Sequence, residues 1–593
     1  MTLLSMALPT LAGAGEYLLS GLITLGEFAA LISVVVFVHE MGHLLVAKAF
    51  GVKAEKFSLG FGPKIFGFTI GETEYRWSLL PFGGYVKFSG DNPGEVVKPE
   101  DKGRGFLEAS PLARGAIAFA GPGANFLLAL VVTLVLHLIP HSEPAPVVGF
   151  VKPGSPAAQG GLRHGDRFLS VDGAPVRGFT ELQERVSAVW NRALSLRVQR
   201  GAEEKTLSVQ PALVEEDSPL GVLRSGRIGI SAASRTAQVA VLGPGTAAAK
   251  AGLQQFDTLT KVGAEEVKSY EQLLDLLAAR LSRAPGGSAE PAEIAFERKP
   301  PPAPLPPAGT KLERRPQDHA QVEAQKLTGQ LVIPALGRAA LPAEVETLLG
   351  LASSDNSIAH VQPESAAEKA GLRRGDRVLE VQGKPVIWWD DEVEHARQAA
   401  GPAPLHFKLL RDGAVHDVEV AQVMRPGRDD AGVRKLFPEL GAFPERTMLR
   451  GGDDAWVTFA YPFGEAASRS VGDTIDKGKQ MLLGIARMVT GKLSTEAIGG
   501  PLMMADVTRK MADFGLAPFF LLMGWISLNL GLVNLLPIPV LDGFHLLSAL
   551  IEGVIRRPLS LRFREVANTM GLVFVLGLML FALGNDVMRK FVE

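Results

Sequence analysis

Residues 28–47 read FAALISVVVFVHEMGHLLVA, a stretch whose only ionisable side chains are His39, Glu40 and His43. About 20 apolar residues cross the hydrocarbon core of a bilayer, so this stretch predicts a transmembrane helix. Ionisable groups are costly inside a membrane and generally serve a function there. The three groups therefore mark a candidate functional site inside the first predicted helix.

Three later stretches, residues 115–136, 514–541 and 566–585, contain no ionisable side chain. Each is long enough to cross a bilayer, and the alternative of a very apolar helix in a soluble protein fits such lengths less well. Ten Lys and Arg residues lie in residues 48–114, and four more lie in the loop before the last stretch. Because cytoplasmic loops concentrate these residues, we predict that both loops are cytoplasmic and that residues 140–512 lie on the other side.

The composition narrows the class of protein. A chain of 593 residues is long enough for several domains. It has 61 Lys and Arg against 63 Asp and Glu, a balance that argues against a very basic nucleic-acid binder, so no nucleic-acid partner is expected. Without cysteine, the chain can have no disulfide, no thiolate metal ligand and no cysteine nucleophile. Any bound metal must therefore use His, Asp or Glu.

The region between the second and third apolar stretches contains an internal repeat. In each of three copies a Ser or Thr precedes a Gly by six positions, and an Asp follows that Gly by five. The copies are Ser155, Gly161 and Asp166; Thr246, Gly252 and Asp257; and Ser365, Gly371 and Asp376. A hydroxyl that caps a short helix, a glycine that ends it and a turn into a strand account for this pattern.

The repeat resembles the PDZ domain in its permuted bacterial arrangement. We predict PDZ-like copies at residues 145–215, 226–340 and 350–425. The second departs from the pattern at Phe256 and has a proline-rich insert before a predicted closing strand at residues 330–334. PDZ domains typically bind an extended peptide at a sheet edge; the alternative is that the copies are spacers. The predicted fold class is a multi-pass α-helical membrane protein with four transmembrane helices and extracytoplasmic α+β PDZ-like domains.

The chemistry is predicted to lie in the first helix. His39 and His43 are four positions apart, so both imidazoles lie on one helical face and can bind one Zn²⁺. Glu40 lies beside them as the candidate general base of this HExxH pattern. A catalytic zinc usually has three protein ligands. Asp542, just after the prolines that end the third stretch, is the predicted third ligand; the alternative is a boundary aspartate that caps the next segment through Gly543.

Three motifs together resemble the site-2 protease family of intramembrane zinc metalloproteases, in its branch of bacterial regulator-of-sigma-E proteases. They are HExxH at residues 39–43, GPGANF at residues 121–126, and the sequence from Asn534 to Gly543 with its Leu-Asp-Gly end. The resemblance covers residues 20–140, the PDZ-like region and residues 490–590. It implies a zinc metalloendopeptidase with the ligands and general base named above.

The resemblance also implies substrate-binding residues. Asn534 is expected to contact the substrate backbone or the oxyanion near the metal, and Asn125 of the second motif is expected to bind substrate. Strand signals at residues 56–68 and 74–90 predict a hairpin, and in the family a hairpin here enters the membrane and pairs with the unwound substrate. The candidate contacts at its predicted bend are Gly83, Gly84 and Tyr85. An ordinary surface hairpin is the alternative.

The predicted organisation has two membrane catalytic halves, residues 1–140 and 514–593. Between them lie the PDZ-like copies and amphipathic membrane-surface helices at residues 450–513. By resemblance, the protein belongs in the bacterial inner membrane with the copies in the periplasm. Its expected partners are the lipid bilayer, peptide ligands of the copies, and a membrane-protein substrate with a transmembrane segment, such as an anti-sigma factor or a remnant signal peptide.

Two other functions are compatible with parts of the sequence. One is a catalytically idle membrane scaffold whose PDZ-like copies bind partners, although an intact Glu40 argues against it. The other is a membrane zinc protease of the second HExxH lineage, which cleaves misfolded proteins outside the bilayer and takes a distal Glu as third ligand. No Glu-x-x-x-Asp motif stands on a later predicted transmembrane or membrane-surface helix, so intramembrane proteolysis is the preferred interpretation.

Overall fold

The computed structural model describes residues 11–91, 98–218, 221–283, 290–308, 323–334, 336, 338, 340–428, 434–445, 448–449, 455–491 and 499–588. The chain divides into two compact units, Met1–His141 with Phe459–Glu593, and Ser142–Thr458. The first residues of the predicted amphipathic segment, 450–454, lie outside the described residues. The first boundary lies next to the predicted end of the first membrane half at residue 140. The second boundary, at Phe459, lies after the predicted end of the last copy at residue 425 and before the predicted start of the second membrane half at residue 514.

The helices, numbered in chain order, are α1 (Leu11–Ala49), α2 (Pro111–Leu138), α3 (Pro156–Gln159), α4 (Phe179–Ser187), α5 (Ala247–Lys250), α6 (Tyr270–Arg283), α7 (Pro342–Leu349), α8 (Ala366–Lys369), α9 (Trp389–Ala400), α10 (Phe463–Val489), α11 (Pro501–Phe514), α12 (Leu516–Asn534), α13 (Asp542–Ile555) and α14 (Leu561–Val587).

The strands are β1 (Ala54–Ile70), β2 (Thr73–Phe88), β3 (His141–Pro144), β4 (Phe150–Val151), β5 (Arg167–Val171), β6 (Ala174–Pro175), β7 (Leu194–Arg200), β8 (Glu203–Val209), β9 (Ala212–Ser218), β10 (Gly221–Arg227), β11 (Ile230–Ser231), β12 (Ser234–Arg235), β13 (Gln238–Val241), β14 (Asp257–Val262), β15 (Glu265–Glu266), β16 (Glu290–Arg298), β17 (Gln325–Ile333), β18 (Leu351–Ser353), β19 (Ile358–Val361), β20 (Arg377–Val381), β21 (Lys384–Pro385), β22 (Leu405–Arg411), β23 (Ala414–Val420), β24 (Val423–Arg428), β25 (Arg434–Glu439), β26 (Ala442–Pro444), β27 (Met448–Leu449) and β28 (Trp456–Phe459).

Four helices in the described part of the chain are long and apolar enough to cross a membrane. They are Leu19–Ala49 within α1, Pro111–Leu138, Leu516–Asn534 and Arg562–Val587. Each corresponds to one predicted stretch. α12 ends before the predicted end at residue 541, because Pro537 and Pro539 lack the backbone N–H that a helix needs. The chain then enters α13, which occupies part of the segment predicted to be a loop.

α1 and α2 approach each other closely because small residues line their contact. A Cβ added at Gly42 would lie 2.3 Å from the Ala120 carbonyl oxygen. Nearer the start of α1 and the end of α2, a buried apolar cluster includes Leu31 of α1, Val132 of α2 and Leu522 of α12. These contacts fix α1 against α2, which carries the GPGANF motif, and against α12, which ends at Asn534.

β1 and β2 form a long, bent antiparallel hairpin that turns at residues 71–72. The start of β1 pairs with both the start and the end of β2. β2 bends at Gly83, whose φ of 111° is rare for any residue with a Cβ. The hairpin predicted from strand signals is therefore present, and its last segment, residues 84–88, pairs with β1 along one side.

Buried carboxylates join several helices of the first unit. The Glu552 carboxylate of α13 accepts hydrogen bonds from Arg114 of α2 and Arg564 of α14. Asp586 of α14 accepts a hydrogen bond of 2.9 Å from the backbone N–H of Gly500, just before α11. A buried charge is tolerated when it is paired in this way, so these contacts hold α2, α11, α13 and α14 together.

α10 and α11 lie in the segment predicted to contain amphipathic helices. α10 packs against α2 and α12, and α11 packs against α1 and α12. α11 begins at Pro501, as the preceding Gly500 and the proline at the first helical position predict. The location of this segment on a membrane surface stays a prediction.

The second unit contains the three copies, and each copy has the same two polar contacts. In each copy the predicted hydroxyl accepts a hydrogen bond from the N–H three positions later and caps a four-residue helix, which confirms the capping prediction. The Asp of each copy is buried and binds the guanidinium of an Arg that also donates to the carbonyl of the predicted Gly. These pairs, which we call the Asp–Arg clamps, are Asp166 with Arg200, Asp257 with Arg298, and Asp376 with Arg411.

Each copy closes with a strand that lies beyond its predicted end. β11 pairs with β4 in the first copy, β18 with β13 in the second and β26 with β19 in the third. The predicted ends at residues 215, 340 and 425 precede these strands, so the copies extend further than predicted. A hairpin, β9–β10 or β24–β25, or the helix α7 comes before each closing strand. Strands of two or three residues show no alternating apolar pattern from which to predict them.

The second copy differs from the others at the turn glycine. Gly165 and Gly375 have φ of 82° and 92°, and Phe256 takes the same left-handed conformation with φ of 71°. The Phe256 side chain is buried, and the guanidinium of Arg374 from the third copy lies 4.1 Å from its ring centre. The strand predicted at residues 330–334 is the end of β17, which begins at residue 325.

Candidate metal centre

α1 presents two imidazoles to a common point. His39 and His43 are 6% and 8% exposed, and their Nε2 atoms lie 3.2 Å apart. Both Nδ1 atoms face α2 instead. His43 Nδ1 lies 2.7 Å from the Ile117 carbonyl oxygen, and His39 Nδ1 lies 3.1 Å from the side-chain amide of Asn125. The helical spacing of the two histidines therefore produces the common face that the sequence predicts.

Asp542 reaches the histidines because the chain folds back after α12. Its Oδ2 lies 3.1 Å from His39 Nε2 and its Oδ1 lies 3.4 Å from His43 Nε2. In the returning loop, Val540 has a φ of 82°, a costly conformation for a β-branched residue. Gly543 packs so tightly that an added Cβ would lie 2.3 Å from carbonyl oxygens of this loop. This tight fold directs the Asp542 carboxylate at the first helix.

The three donor groups fit a zinc ion. Bonds of about 2.0–2.1 Å at tetrahedral angles place ligand atoms about 3.3 Å apart, and the separations here are 3.1, 3.2 and 3.4 Å. Two imidazoles and a carboxylate are a known catalytic zinc set that leaves one position open for water. The Ile117 carbonyl accepts the Nδ1 hydrogen of His43, which leaves the Nε2 lone pair facing the centre. His39, His43 and Asp542 are thus the residues that can hold the ion.

Gly121 of α2 makes room for this centre. An added Cβ would lie 2.2 Å from His43 Nε2 and 2.8 Å from His39 Nε2. Any side chain here would occupy the space between the ligand atoms. Gly121 belongs to the GPGANF motif, yet nothing in that motif distinguishes it from Gly123, which faces the Phe119 ring instead. Its role becomes visible only in the packing of α2 against α1.

A cleft of about 370 Å³ opens beside the ligand groups. Glu40 and Asn534 both line it, and Asn534 Nδ2 lies 3.3 Å from His39 Nε2. His545 also lines the cleft, although the sequence predicts no role for it. The signal for His545 is its spacing, because a residue three positions after Asp542 in a helix lies on the same face. The cleft thus holds a candidate base, an amide and an imidazole beside the centre.

The remaining predicted site residues lie around this cleft. Tyr85 lines it, and Gly84 packs against Glu40, whose Cγ would lie 3.3 Å from an added Cβ. Gly83 instead faces an aromatic ring of β1. Asn125 is fully buried beside His39. Contact between these four residues and a substrate stays a prediction.

A protein-family model described as peptidase family M50 matches residues 27–578. The chain belongs to peptidase family M50. The matched region begins in α1 and ends in α14, so it includes every residue of the centre and of the cleft. The resemblance to the site-2 protease family, which is this family, is therefore confirmed.

Relatives of this M50 protein align along nearly its whole length. A Neisseria meningitidis protein whose name describes a zinc metalloprotease is 27% identical over 95% of this chain and 99% of its own length. The regulator of sigma E protease of Haemophilus influenzae is 27% identical over 96% of this chain and 100% of its own. The alignment with a solved PDZ domain protein from Parabacteroides distasonis covers 51% of this chain and 95% of that protein, at 8% identity and a TM-score of 0.13. This score is too low to indicate a shared fold. As an M50 member, the protein is a zinc-dependent metalloendopeptidase.

Proposed function

We propose that this M50 protein hydrolyses a peptide bond within or beside a transmembrane segment of a membrane-protein substrate. One observation carries the proposal. The three predicted ligand groups lie 3.1 to 3.4 Å apart. The two histidines lie on α1 and face α2, and both of these helices are long and apolar enough to cross a membrane. A peptidase with its centre among such helices is suited to substrates that lie in the same bilayer.

The residues of the centre have complementary roles in this proposal. His39, His43 and Asp542 hold the zinc ion, which when bound polarises the scissile carbonyl and promotes ionisation of a water molecule. Glu40 accepts the proton of the attacking water and delivers it to the leaving amine. Asn534, beside His39 in the cleft, donates a hydrogen bond to the substrate carbonyl oxygen as negative charge develops on it.

The hairpin supplies a surface for an extended substrate. A helical segment satisfies its backbone groups internally, so it must unwind before a peptide bond becomes accessible. Residues 84–88 pair with β1 along one side, and a substrate strand added along the other side would be held by backbone hydrogen bonds. Gly84 allows this segment to lie against Glu40, and Tyr85 bounds the cleft. A strand held here lies next to the general base.

The finer arrangement in the membrane belongs to the same proposal. The protein would cross the bacterial inner membrane several times, with the PDZ-like copies in the periplasm. The concentration of Lys and Arg in residues 48–114 and before the last apolar stretch supports this orientation. The copies would bind peptides or exclude substrates with bulky external domains. Membrane-anchored anti-sigma factors and remnant signal peptides are the proposed substrate classes.

A cleavage assay with matched variants tests the proposal. The full-length protein is reconstituted in liposomes with zinc and a tagged single-span membrane protein as substrate. Glu40→Gln keeps the ligands but removes the base, so cleavage should fall by at least about 100-fold while the zinc content stays unchanged. Glu27→Gln is the control, because Glu27 lies on the same helix but pairs with Arg509. It should cleave at close to the wild-type rate.

The zinc content of the purified Asp542→Ala protein provides a second measurement. Removal of a ligand from a three-ligand set should release most of the zinc during dialysis. Undiminished zinc in Asp542→Ala would contradict the assignment of the third ligand. Wild-type cleavage by Glu40→Gln would contradict the catalytic proposal and would favour an idle scaffold.

A further inference from the structure

Asn125 is fully buried between α1 and α12, and its amide lies against one zinc-ligand candidate. The Asn125 side chain is 0% exposed, and its Nδ2 lies 3.1 Å from His39 Nδ1. Its Oδ1 has no hydrogen-bond partner in the described part of the chain. A buried carbonyl oxygen without a partner is costly, so this arrangement needs an explanation.

The chemistry of the zinc ligands provides a hydrogen-bond partner for the side-chain oxygen of Asn125. His39 Nε2 faces His43 Nε2 and Asp542 Oδ2, so a zinc ion would take the Nε2 lone pair. A neutral imidazole that binds metal through Nε2 carries its hydrogen on Nδ1. An Nδ1–H needs an acceptor, and a half-turn of the Asn125 amide exchanges its nitrogen and oxygen without moving either helix. The Asn125 oxygen then accepts the Nδ1 hydrogen of His39, so that the oxygen and the Nδ1–H each have a partner.

We propose that Asn125 is a positioning residue that accepts the Nδ1 hydrogen of His39 and thereby orients the His39 Nε2 lone pair at the zinc ion. This inference rests on the proposed zinc centre. It assigns Asn125 a different role from the substrate contact that the resemblance implies. A residue with no exposed surface, adjacent to the ligand ring on the side away from the other two ligands, is suited to hold that ring.

α12 holds Asn125 in place. The Ser527 hydroxyl of α12 is fully buried and donates a hydrogen bond of 3.0 Å to the backbone carbonyl oxygen of Asn125. Asn125 is also four positions after Gly121, so both residues lie on the face of α2 that meets the histidines. One face of α2 therefore provides the space for the centre and the acceptor for one of its rings.

The two histidines differ in how Nδ1 is held. His43 Nδ1 donates to the backbone carbonyl of Ile117, and no substitution removes that acceptor. His39 depends on a side chain, so its orientation can be tested by mutation. Partners of this kind typically contribute 10–100-fold to metal affinity.

Zinc affinity separates positioning from substrate contact. The full-length protein in detergent is titrated with zinc against a chromophoric chelator, with no substrate present. Asn125→Ala and the similarly shaped Asn125→Leu both lack the acceptor and should weaken zinc binding about 10–100-fold. Asn125→Asp retains an acceptor and should bind zinc within a few-fold of the wild type. Thr133→Ala is the control, because buried Thr133 lies on α2 but bonds within its own helix; its affinity should be unchanged.

A spectroscopic readout accompanies the titration. Co²⁺ replaces zinc, and its visible absorption reports ligand geometry; the spectrum should change in Asn125→Leu and persist in Asn125→Asp and Thr133→Ala. Unchanged zinc affinity in Asn125→Ala and Asn125→Leu would overturn the positioning role, and a raised KM at saturating zinc would then assign Asn125 to the substrate. If the wild type itself binds no zinc, both the positioning role and the zinc centre are wrong. If the wild type binds zinc tightly and the Asn125 variants bind it equally well, only the positioning role is wrong.

Discussion

The metal centre and the Asp–Arg clamps both use an aspartate to join separate segments, but over very different distances along the chain. Within the clamps the Asp and the Arg are 34, 41 and 35 positions apart. At the centre, Asn534 lies 495 positions from His39, and Asp542 is further still. A clamp can form when one copy folds, whereas the centre forms only when α1, α2 and the start of α13 are packed together. Changes at the centre should therefore abolish function, and changes in one copy should have local effects.

Gly121→Ala should produce the largest effect. The added Cβ would lie 2.2 Å from His43 Nε2, so either the histidine or α2 must move. A displacement of about 1 Å at a reactive centre can cost about 100-fold in rate. We expect zinc content and cleavage of a single-span substrate both to be lost, as measured by atomic absorption and gel assay.

Gly123→Ala is the matched control for that variant. Both glycines lie inside α2, so both substitutions raise helix propensity equally, by about 1 kcal/mol. A Cβ at Gly123 would lie 3.3 Å from the Phe119 ring, which is 47% exposed and can move. Normal zinc content is expected. Equal zinc binding by Gly121→Ala and Gly123→Ala would contradict the view that close approach of α2 creates the centre.

Asp166→Ala should have an intermediate effect confined to the first copy. Asp166 is fully buried, and its loss leaves Arg200 without its carboxylate partner. Because Arg200 remains 22% exposed, we expect a loss of about 2–3 kcal/mol, below the range for fully buried pairs. Hydrogen exchange should accelerate in residues 145–231 while zinc content stays normal.

The comparison for Asp166 is Glu215→Ala, which removes an exposed ion pair with Arg224. Exposed pairs contribute about 0–1 kcal/mol, so exchange should hardly change. Loss of zinc from Asp166→Ala would show that the clamps and the centre are coupled, and the contrast between local and long-range assembly would fail.

Gly165→Ala should produce the smallest effect. A Cβ here would contact nothing within 4 Å, but φ is 82°, so only the backbone conformation opposes it. The expected cost is about 1 kcal/mol of local stability, again measured by hydrogen exchange. Gly245→Ala, equally open but without positive φ, should be neutral. If hydrogen exchange changed equally in both variants, the left-handed conformation at Gly165 would not be the cause of the lost stability.

Phe256 shows how the second copy accommodates the same conformation. It has the same backbone strain as any non-glycine residue at that turn, but its ring is buried and stacks with Arg374 of the third copy. Cation–π contacts contribute about 0.5–2 kcal/mol, which offsets the strain. The departure from the repeat pattern thus becomes a contact between copies. Only the three-dimensional neighbour explains it.

Much of the centre could be predicted because its two halves carry local signals. The histidine pair and Glu40 lie within one turn of α1, and Asp542 follows a proline break in a stretch without ionisable residues. Gly121 could not be recognised as part of the site, and the only signal for His545 was its spacing from Asp542. The chain has 65 glycines, and the role of Gly121 depends on what faces it. The closing strands of the copies were missed for the same reason, since strands of two or three residues are defined by their partners.

Local patterns define the four apolar helices, the paired imidazoles and the capped helix of each copy, because each depends on residues a few positions apart. Long-range packing places Gly121 beside both imidazoles and Asn125 beside the Nδ1 atom of His39, and it selects the Arg that closes each clamp. Those contacts join segments that are distant in the chain, and their free energy depends on packing geometry that no local pattern encodes.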